Sequence, residues 1–225
     1  LIHPSADPVL TAAIHPDPES GFYPRRPHEL PVMEAFYTLQ GEGRYTGHAA
    51  WFIRLAGCSV GCTWCDVKES WELRENQYRK IIEIVQDACQ SPARLAVITG
   101  GEPCMHHLEE LTRELKDKGF RAHLETSGCW PVTGAFDWIC VSPKKFKKPL
   151  DETMKRADEL KVVVYHSSDL EWAIHQAEKT SPGCLLYLQP EHSRLNAILP
   201  KVLEFIGEHP QWQLSLQTHK FIGIP

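Results

Sequence analysis

The sequence predicts an α/β fold in which a mostly parallel sheet closes as a partial, truncated TIM-like barrel. From Val32 onward, short apolar runs alternate with amphipathic segments of helical period, and parallel strands need crossover connections of the kind helices supply. Polar motifs recur just after the apolar runs, at the strand ends where parallel α/β folds gather their binding and catalytic loops. With 225 residues, 42% of them hydrophobic, the chain is long enough for one well-buried domain and short for two.

The elements follow in order. Residues 1–31 carry seven prolines without sustained periodicity and are expected to form an extended arm before a core of residues 32–225. Strands are predicted at 33–38 and 49–56. After Asn76, the residues Ile81, Ile84, Val85 and Ala88 recur at i, i+3, i+4 and i+7, one helical face that should pack on a sheet. A buried strand is predicted at 95–99, then a helix with Leu108, Leu111 and Leu115 on one side and Gly119 as its stop. Further strands are predicted at 121–125, 138–141, 160–165, 184–188 and 212–217, with helices at 170–179 and 195–205. Pro200 should kink that last helix or mark its start.

A formal net charge of −5 argues against a broad basic face for nucleic acid. No window approaches the roughly 20 apolar residues of a membrane span, and the first residues lack the pattern of a signal peptide. A soluble, cytoplasmic protein without membrane or direct nucleic-acid partners is therefore expected. In that setting eight cysteines read as reduced core residues or metal ligands, not as a disulfide framework. Cys89, Cys104, Cys129, Cys140 and Cys184 are scattered and read as small buried apolar residues.

Cys58, Cys62 and Cys65 are different, being packed into "CSVGCTWC". A structural zinc site closes with four ligands, usually two Cys-x2-Cys pairs or their His equivalents. Here there is no second pair, although His48 could complete a Cys3His set. A cubane iron-sulfur cluster held by three cysteines instead leaves one iron open, able to chelate a small molecule through an amine and a carboxylate.

Cys-x3-Cys-x2-Cys after an early strand, followed 35 residues later by Gly-Gly-Glu-Pro, resembles the radical S-adenosylmethionine superfamily. The resemblance implies a 4Fe-4S cluster on Cys58, Cys62 and Cys65. The cluster reduces bound S-adenosyl-L-methionine and releases a 5′-deoxyadenosyl radical, which abstracts hydrogen from substrate. It further implies that Trp64 neighbours the adenine or shields the cluster. Gly100 and Gly101 would let backbone approach the ligand, and Glu102 would accept its ammonium. Ser127, Ser142, Lys144 and Gln189 are further cofactor contacts.

The motifs "LQGEG", "FIRLAGCSVGCTWCD", "ITGGEPC", "ETSG", "VSPK", "LQP" and "LSLQTHK" together resemble the 7-carboxy-7-deazaguanine synthase family. That resemblance spans about Glu34 to the end of the chain. It implies conversion of 6-carboxy-5,6,7,8-tetrahydropterin to 7-carboxy-7-deazaguanine with loss of ammonia, a lyase step in queuosine biosynthesis, the route to a modified tRNA nucleoside. A homodimer, Mg2+ and a reductant such as flavodoxin are implied as well. A pterin presents a planar donor-acceptor edge and one carboxylate. Gln40 and Glu42 suit the edge and Arg54 the carboxylate, while Thr99, His219 and Pro225 are further substrate candidates. Two rivals stay open: an activase of glycyl-radical enzymes, which shares the cysteine spacing, and a non-catalytic regulator that keeps the fold.

One position departs from the family pattern. Cys-Asp-Thr usually follows the cluster loop, and its threonine hydroxyl is associated with magnesium; here the residues are Cys65-Asp66-Val67. Valine offers no oxygen, so magnesium should rest on substrate, water and Asp66 alone. Chelator-treated protein is expected to turn over at the same rate with and without added magnesium; complete dependence on the ion would overturn this reading.

Overall fold

The computed structural model describes residues 12–225. In chain order its elements are β1 (Ala13–Ile14), β2 (Glu29–Leu39), β3 (Ala49–Leu55), β4 (Leu73–Arg74), β5 (Tyr78–Lys80), α1 (Ile81–Cys89), β6 (Leu95–Gly100), α2 (Glu109–Asp117), β7 (Arg121–Thr126), β8 (Trp138–Val141), α3 (Asp151–Lys155), β9 (Glu159–Val164), α4 (Ser168–Ala177), β10 (Leu185–Pro190), α5 (Leu195–Glu208), β11 (Trp212–Leu214) and α6 (Thr218–Ile222). Nine strands form one sheet in the order β11-β10-β9-β8-β7-β6-β3-β2-β5. Every ladder from β3 to β11 is parallel, whereas β2 runs antiparallel to both β3 and β5. No helix among the described residues is long and apolar enough to cross a membrane.

Successive side chains of a strand point to opposite faces, and the two faces of this sheet differ in chemistry. Ile53, Leu55, Ile98, Leu124, Val141, Leu160, Val162 and Leu188 join Ile84, Val85, Leu111, Leu115, Ala173 and Val202 of the helices in one apolar core. The intervening positions Arg54, Thr99, Glu125, Lys161 and Gln189 all line a single cavity. Strands from across the sheet can share one cavity only if the sheet curves around it.

The two ends of the sheet are joined by loops. Residues 40–48 connect β2 to β3 at the N-terminal ends of the parallel strands and fold inward, so that the Tyr45 ring lies 4.5 Å from His123 and 5.1 Å from Trp138. The C-terminal segment crosses to meet that loop: Thr218 N donates to Gly41 O at 2.9 Å, and Thr38 Oγ1 to Pro225 O at 3.3 Å.

Several expectations change here. The last strand stops at Leu214, short of the predicted 217, because the chain leaves the sheet to reach Gly41 and enters α6. Pro200 lies inside α5, which starts at Leu195; a proline there deletes one i→i−4 hydrogen bond and leaves the helix otherwise continuous. Of the predicted arm, residues 1–11 lie outside the described residues, and the remainder is packed: β1 pairs with β4, and β2 already begins at Glu29. Cys104 and Cys140 are buried as expected, Cys129 and Cys184 partly so, but Cys89 is exposed. As the last residue of α1 it falls beyond the face that Ile81, Ile84, Val85 and Ala88 present to the core.

His106 links this packing to the end of β3. Its Nε2 donates to Ala56 O at 2.9 Å, and its ring stacks on buried Tyr23 at 5.1 Å. Burial depresses its pKa from 6.5 to about 4. A histidine whose folded pKa lies below its unfolded value lets the unfolded chain bind more protons, so its stabilising contribution is lost as pH falls. Stability should therefore decline as pH drops from about 6.5 to about 4, with on the order of 3 kcal/mol owed to His106. Urea denaturation of His106→Gln should show a flatter decline over that window; an unchanged slope would contradict the assignment.

Candidate active site

The cysteine loop leaves the C-terminal end of β3 and is held by backbone. Cys58 N donates to Trp71 O at 3.1 Å, and Cys65 N to Cys62 O at 3.0 Å. The Gly-Gly-Glu-Pro turn after β6 is bonded directly to it: Gly101 N donates to Leu55 O at 2.9 Å, and Glu102 N to Gly57 O at 3.0 Å. A Cβ on Gly100 would sit 2.2 Å from Leu55 O, and one on Gly101 2.3 Å from Gly57 O. The glycines are thus required first by the contact between these two loops, where the sequence pointed only to a ligand. Gly100 also has φ +134, which L side chains rarely adopt.

Glu102 is 2% exposed and holds the next strand end. Its carboxylate accepts from Cys104 N at 3.0 Å, Ser127 N at 2.8 Å, and the hydroxyls of Thr126 and Ser127. Each oxygen already has two donors, about the capacity of a carboxylate. Its immediate task is therefore to clamp β6 to β7, and a ligand ammonium would be left to nearby backbone carbonyls. Ser142 is likewise engaged, since both its carbonyl and its hydroxyl accept from Lys144 Nζ, which lies 5.4 Å from the Trp64 ring.

The deeper cavity is organised by Lys161. Its ammonium bonds Glu42 at 2.7 Å and Glu125 at 2.9 Å. Gln40 Nε2 donates to the other oxygen of Glu125 at 3.2 Å, and Gln217 Nε2 donates at 3.1 Å to both Glu42 and Asp66. Burial by itself would raise the Glu42 carboxyl, but Lys161 outweighs it and holds the group below its usual value. Asp66 is also held low against burial, through Lys220 at 2.7 Å and Gln217. A magnesium ion on Asp66 would have to compete with that ammonium.

The remaining predicted residues sort clearly. Arg54 is ion-paired, its Nε donating to Glu34 on the neighbouring strand at 2.6 Å; its terminal nitrogens have no hydrogen-bond partner among the described residues. Gln189 accepts from Ser215 Oγ at 2.8 Å. Burial lowers the pKa of His219 despite nearby Glu42. Thr99, Val67 and Pro225 line the same cavity as the three cysteines, and its volume is about 440 Å³, within the range of small-molecule sites. His48 is not there. It bonds Tyr45 at the start of β3, and a seven-residue strand rising about 3.3 Å per residue separates it from Cys58. A Cys3His zinc site is ruled out by that separation, and no cluster of three or more His, Cys, Asp or Glu among the described residues is gathered tightly enough for one metal ion.

The Radical SAM superfamily model matches residues 52–167. The 7-carboxy-7-deazaguanine synthase of Flavobacterium psychrophilum is 47% identical over 87% of this chain and 93% of its own length, and that of Synechocystis sp. is 48% identical over 86% and 93%. This chain belongs to the 7-carboxy-7-deazaguanine synthase family. The structure titled "Crystal structure of QueE from Escherichia coli" superposes with a TM-score of 0.75 at 34% identity, covering 85% of this chain and 95% of that one.

Membership of the radical SAM superfamily implies a 4Fe-4S cluster and S-adenosylmethionine. The thiols of this family member fit such a cluster: all three line the same cavity, and thiolates are the ligands iron-sulfur clusters take. Burial pushes the Cys58 thiol up to about 11 and raises Cys62 as well, so loading the site must release protons. Sequence reasoning did not identify Lys161 as part of the site. The available signal was a lysine inside the apolar run "ELKVVVY", since lysine is almost never fully buried without a partner.

Gly100→Ala should be severe, because the Cβ meets backbone and the φ is unfavourable. We expect a loss of about 3 kcal/mol or more together with a failure to retain iron after anaerobic reconstitution. Wild-type stability and iron content in the variant would refute the close-approach argument.

Proposed function

We propose that this protein converts 6-carboxy-5,6,7,8-tetrahydropterin to 7-carboxy-7-deazaguanine by radical S-adenosylmethionine chemistry, losing ammonia, in the cytoplasm and as part of queuosine biosynthesis. The observation that carries the reading is that Gln40, Glu42, Arg54, Thr99 and His219 line the same cavity as Cys58, Cys62 and Cys65. The curved sheet serves as a partial TIM-like barrel. Residues 32–225 are the radical core, and the preceding segment braces it through Tyr23 and His106.

In this reading Cys58, Cys62 and Cys65 hold the 4Fe-4S cluster. When bound, the cluster and S-adenosylmethionine supply the hydrogen-abstracting radical. Trp64, Lys144 and Gln189 flank the cofactor, and Gly100, Gly101, Glu102, Ser127 and Ser142 shape the loops that receive it. Gln40 and Glu42 present acceptors and an amide to the pterin edge. The free nitrogens of Arg54 take its carboxylate, because Glu34 occupies only Nε. Thr99, His219 and Pro225 close the substrate side. Mg2+ is held weakly, through substrate, water and Asp66. The enzyme works as a homodimer and takes electrons from a small reductant protein such as flavodoxin. A glycyl-radical activase would need a mouth for a protein loop, and the Gln40–Glu42 segment and the C-terminal residues crowd this cavity instead.

The test is anaerobic incubation of reconstituted, reduced protein with S-adenosylmethionine and the pterin, followed by mass spectrometry. 7-Carboxy-7-deazaguanine and 5′-deoxyadenosine should both form, and Cys62→Ala should abolish both. 5′-Deoxyadenosine without the deazaguanine product would leave the radical step standing and overturn the substrate.

A further inference from the structure

Inside the curve of the sheet lies an ammonium paired with two carboxylates. Lys161 is 3% exposed and projects from β9 to the face where Glu42 and Glu125 converge, with N–O distances of 2.7 Å and 2.9 Å. These carboxylates come from opposite directions in the fold, Glu42 from the loop at the N-terminal ends of the parallel strands and Glu125 from the C-terminal part of β7. Their outer oxygens take one donor each, Gln217 Nε2 at 3.1 Å and Gln40 Nε2 at 3.2 Å. A carboxylate oxygen can accept two hydrogen bonds. Both groups therefore keep acceptor capacity, and both line the cavity.

We propose that Lys161 is a positioning residue for substrate recognition: its ammonium fixes Glu42 and Glu125 as a pair of ionised acceptors and so selects a planar ligand edge carrying adjacent N–H donors. The inference rests on the proposed function, because an aminopyrimidinone ring of the pterin type offers such an edge.

The charges around the pair support this. Burial raises the Glu159 carboxyl on β9 and the Cys140 thiol on β8, favouring their neutral forms. Lys144, beyond β8, has its pKa lowered by burial, and so has His219 of α6. Lys161 itself stays protonated: burial works against its charge, but the Glu125 and Glu42 carboxylates in contact with it outweigh burial and hold its pKa above the ordinary lysine value. Two carboxylates facing one ammonium leave an excess of negative charge in a buried site. Such an excess is met by a ligand that donates hydrogen bonds, and it disfavours an edge of acceptors alone.

If Lys161 is removed, Glu42 loses the cation that holds its carboxyl below the usual value and faces Glu125 unscreened, so its pKa rises. The ionised Glu42 needed for binding then persists only at higher pH, and the acid limb of kcat/KM should move upward. We would compare wild-type holoenzyme with Lys161→Met, Lys161→Arg and Lys161→Met/Glu125→Gln. Equilibrium binding of 6-carboxy-5,6,7,8-tetrahydropterin and pH profiles of kcat/KM would be measured for each. Lys161→Met should weaken pterin binding by about tenfold or more, change kcat by less than about threefold, and shift the acid limb upward. Lys161→Arg should restore the limb. The double variant removes the repulsion and guards against simple misfolding, yet it should still show the shifted limb, because Glu42 remains without its cation. An unshifted limb in both Lys161→Met variants, with stability and kcat falling together, would reduce Lys161 to a structural role and overturn the inference. If wild-type protein makes no deazaguanine, the functional reading fails by itself, and pterin binding by wild type against Lys161→Met still decides whether Lys161 positions the acceptors.

Discussion

The ion cluster of Lys161, Glu42 and Glu125 is the interaction on which the inner architecture depends. A parallel sheet that buries one face against helices must do something with the other face. Here that face carries charge, and a charge buried on it needs a partner inside the protein. Lys161 supplies the positive centre. Glu42 reaches it only because residues 40–48 fold inward from the N-terminal ends of the strands, and Gln217 reaches Glu42 only because the C-terminal segment turns out of the sheet. The chain of contacts continues through Gln217 to Asp66, which follows Cys65. One polar network thus joins the Lys161 end of the cavity to the cysteine loop.

At the other end, backbone contact does the equivalent work. The cysteine loop and the Gly-Gly-Glu-Pro turn are joined main chain to main chain, at a separation that no side chain at 100 or 101 would permit. Glu102 extends the brace from β6 to β7 by accepting four hydrogen bonds in a buried position. Three consecutive strand ends are thereby held in fixed relation. A radical intermediate must be generated next to its target and away from water. A site made of pinned loops restricts both cofactor and substrate to small displacements.

These two regions meet different physical demands. Around the cysteines, burial disfavours the thiolates of Cys58 and Cys62, so a cluster bound there would have to displace their protons. In the interior, the compensating charge is already built in, and Glu42 and Asp66 remain ionised despite burial because lysines lie within hydrogen-bonding distance.

Much of this protein was determined by sequence alone. Apolar period identified every strand from β6 to β10 within about two residues, because that period directly reflects which face is buried. The helical faces of Ile81, Ile84, Val85 and Ala88 and of Leu108, Leu111 and Leu115 followed for the same reason. The cysteine triad was legible because a ligand set within eight residues needs no tertiary contact to bring it together. Tertiary structure decided what depends on distant partners. Lys161, Glu42 and Glu125 are more than 30 residues apart, and no local pattern states that they share one ion cluster. The engagement of Glu102 by Thr126 and Ser127, the pairing of Arg54 with Glu34, and the inward fold of residues 40–48 were likewise invisible to periodicity. Each depends on which strands become neighbours and on where a curved sheet brings its two edges together.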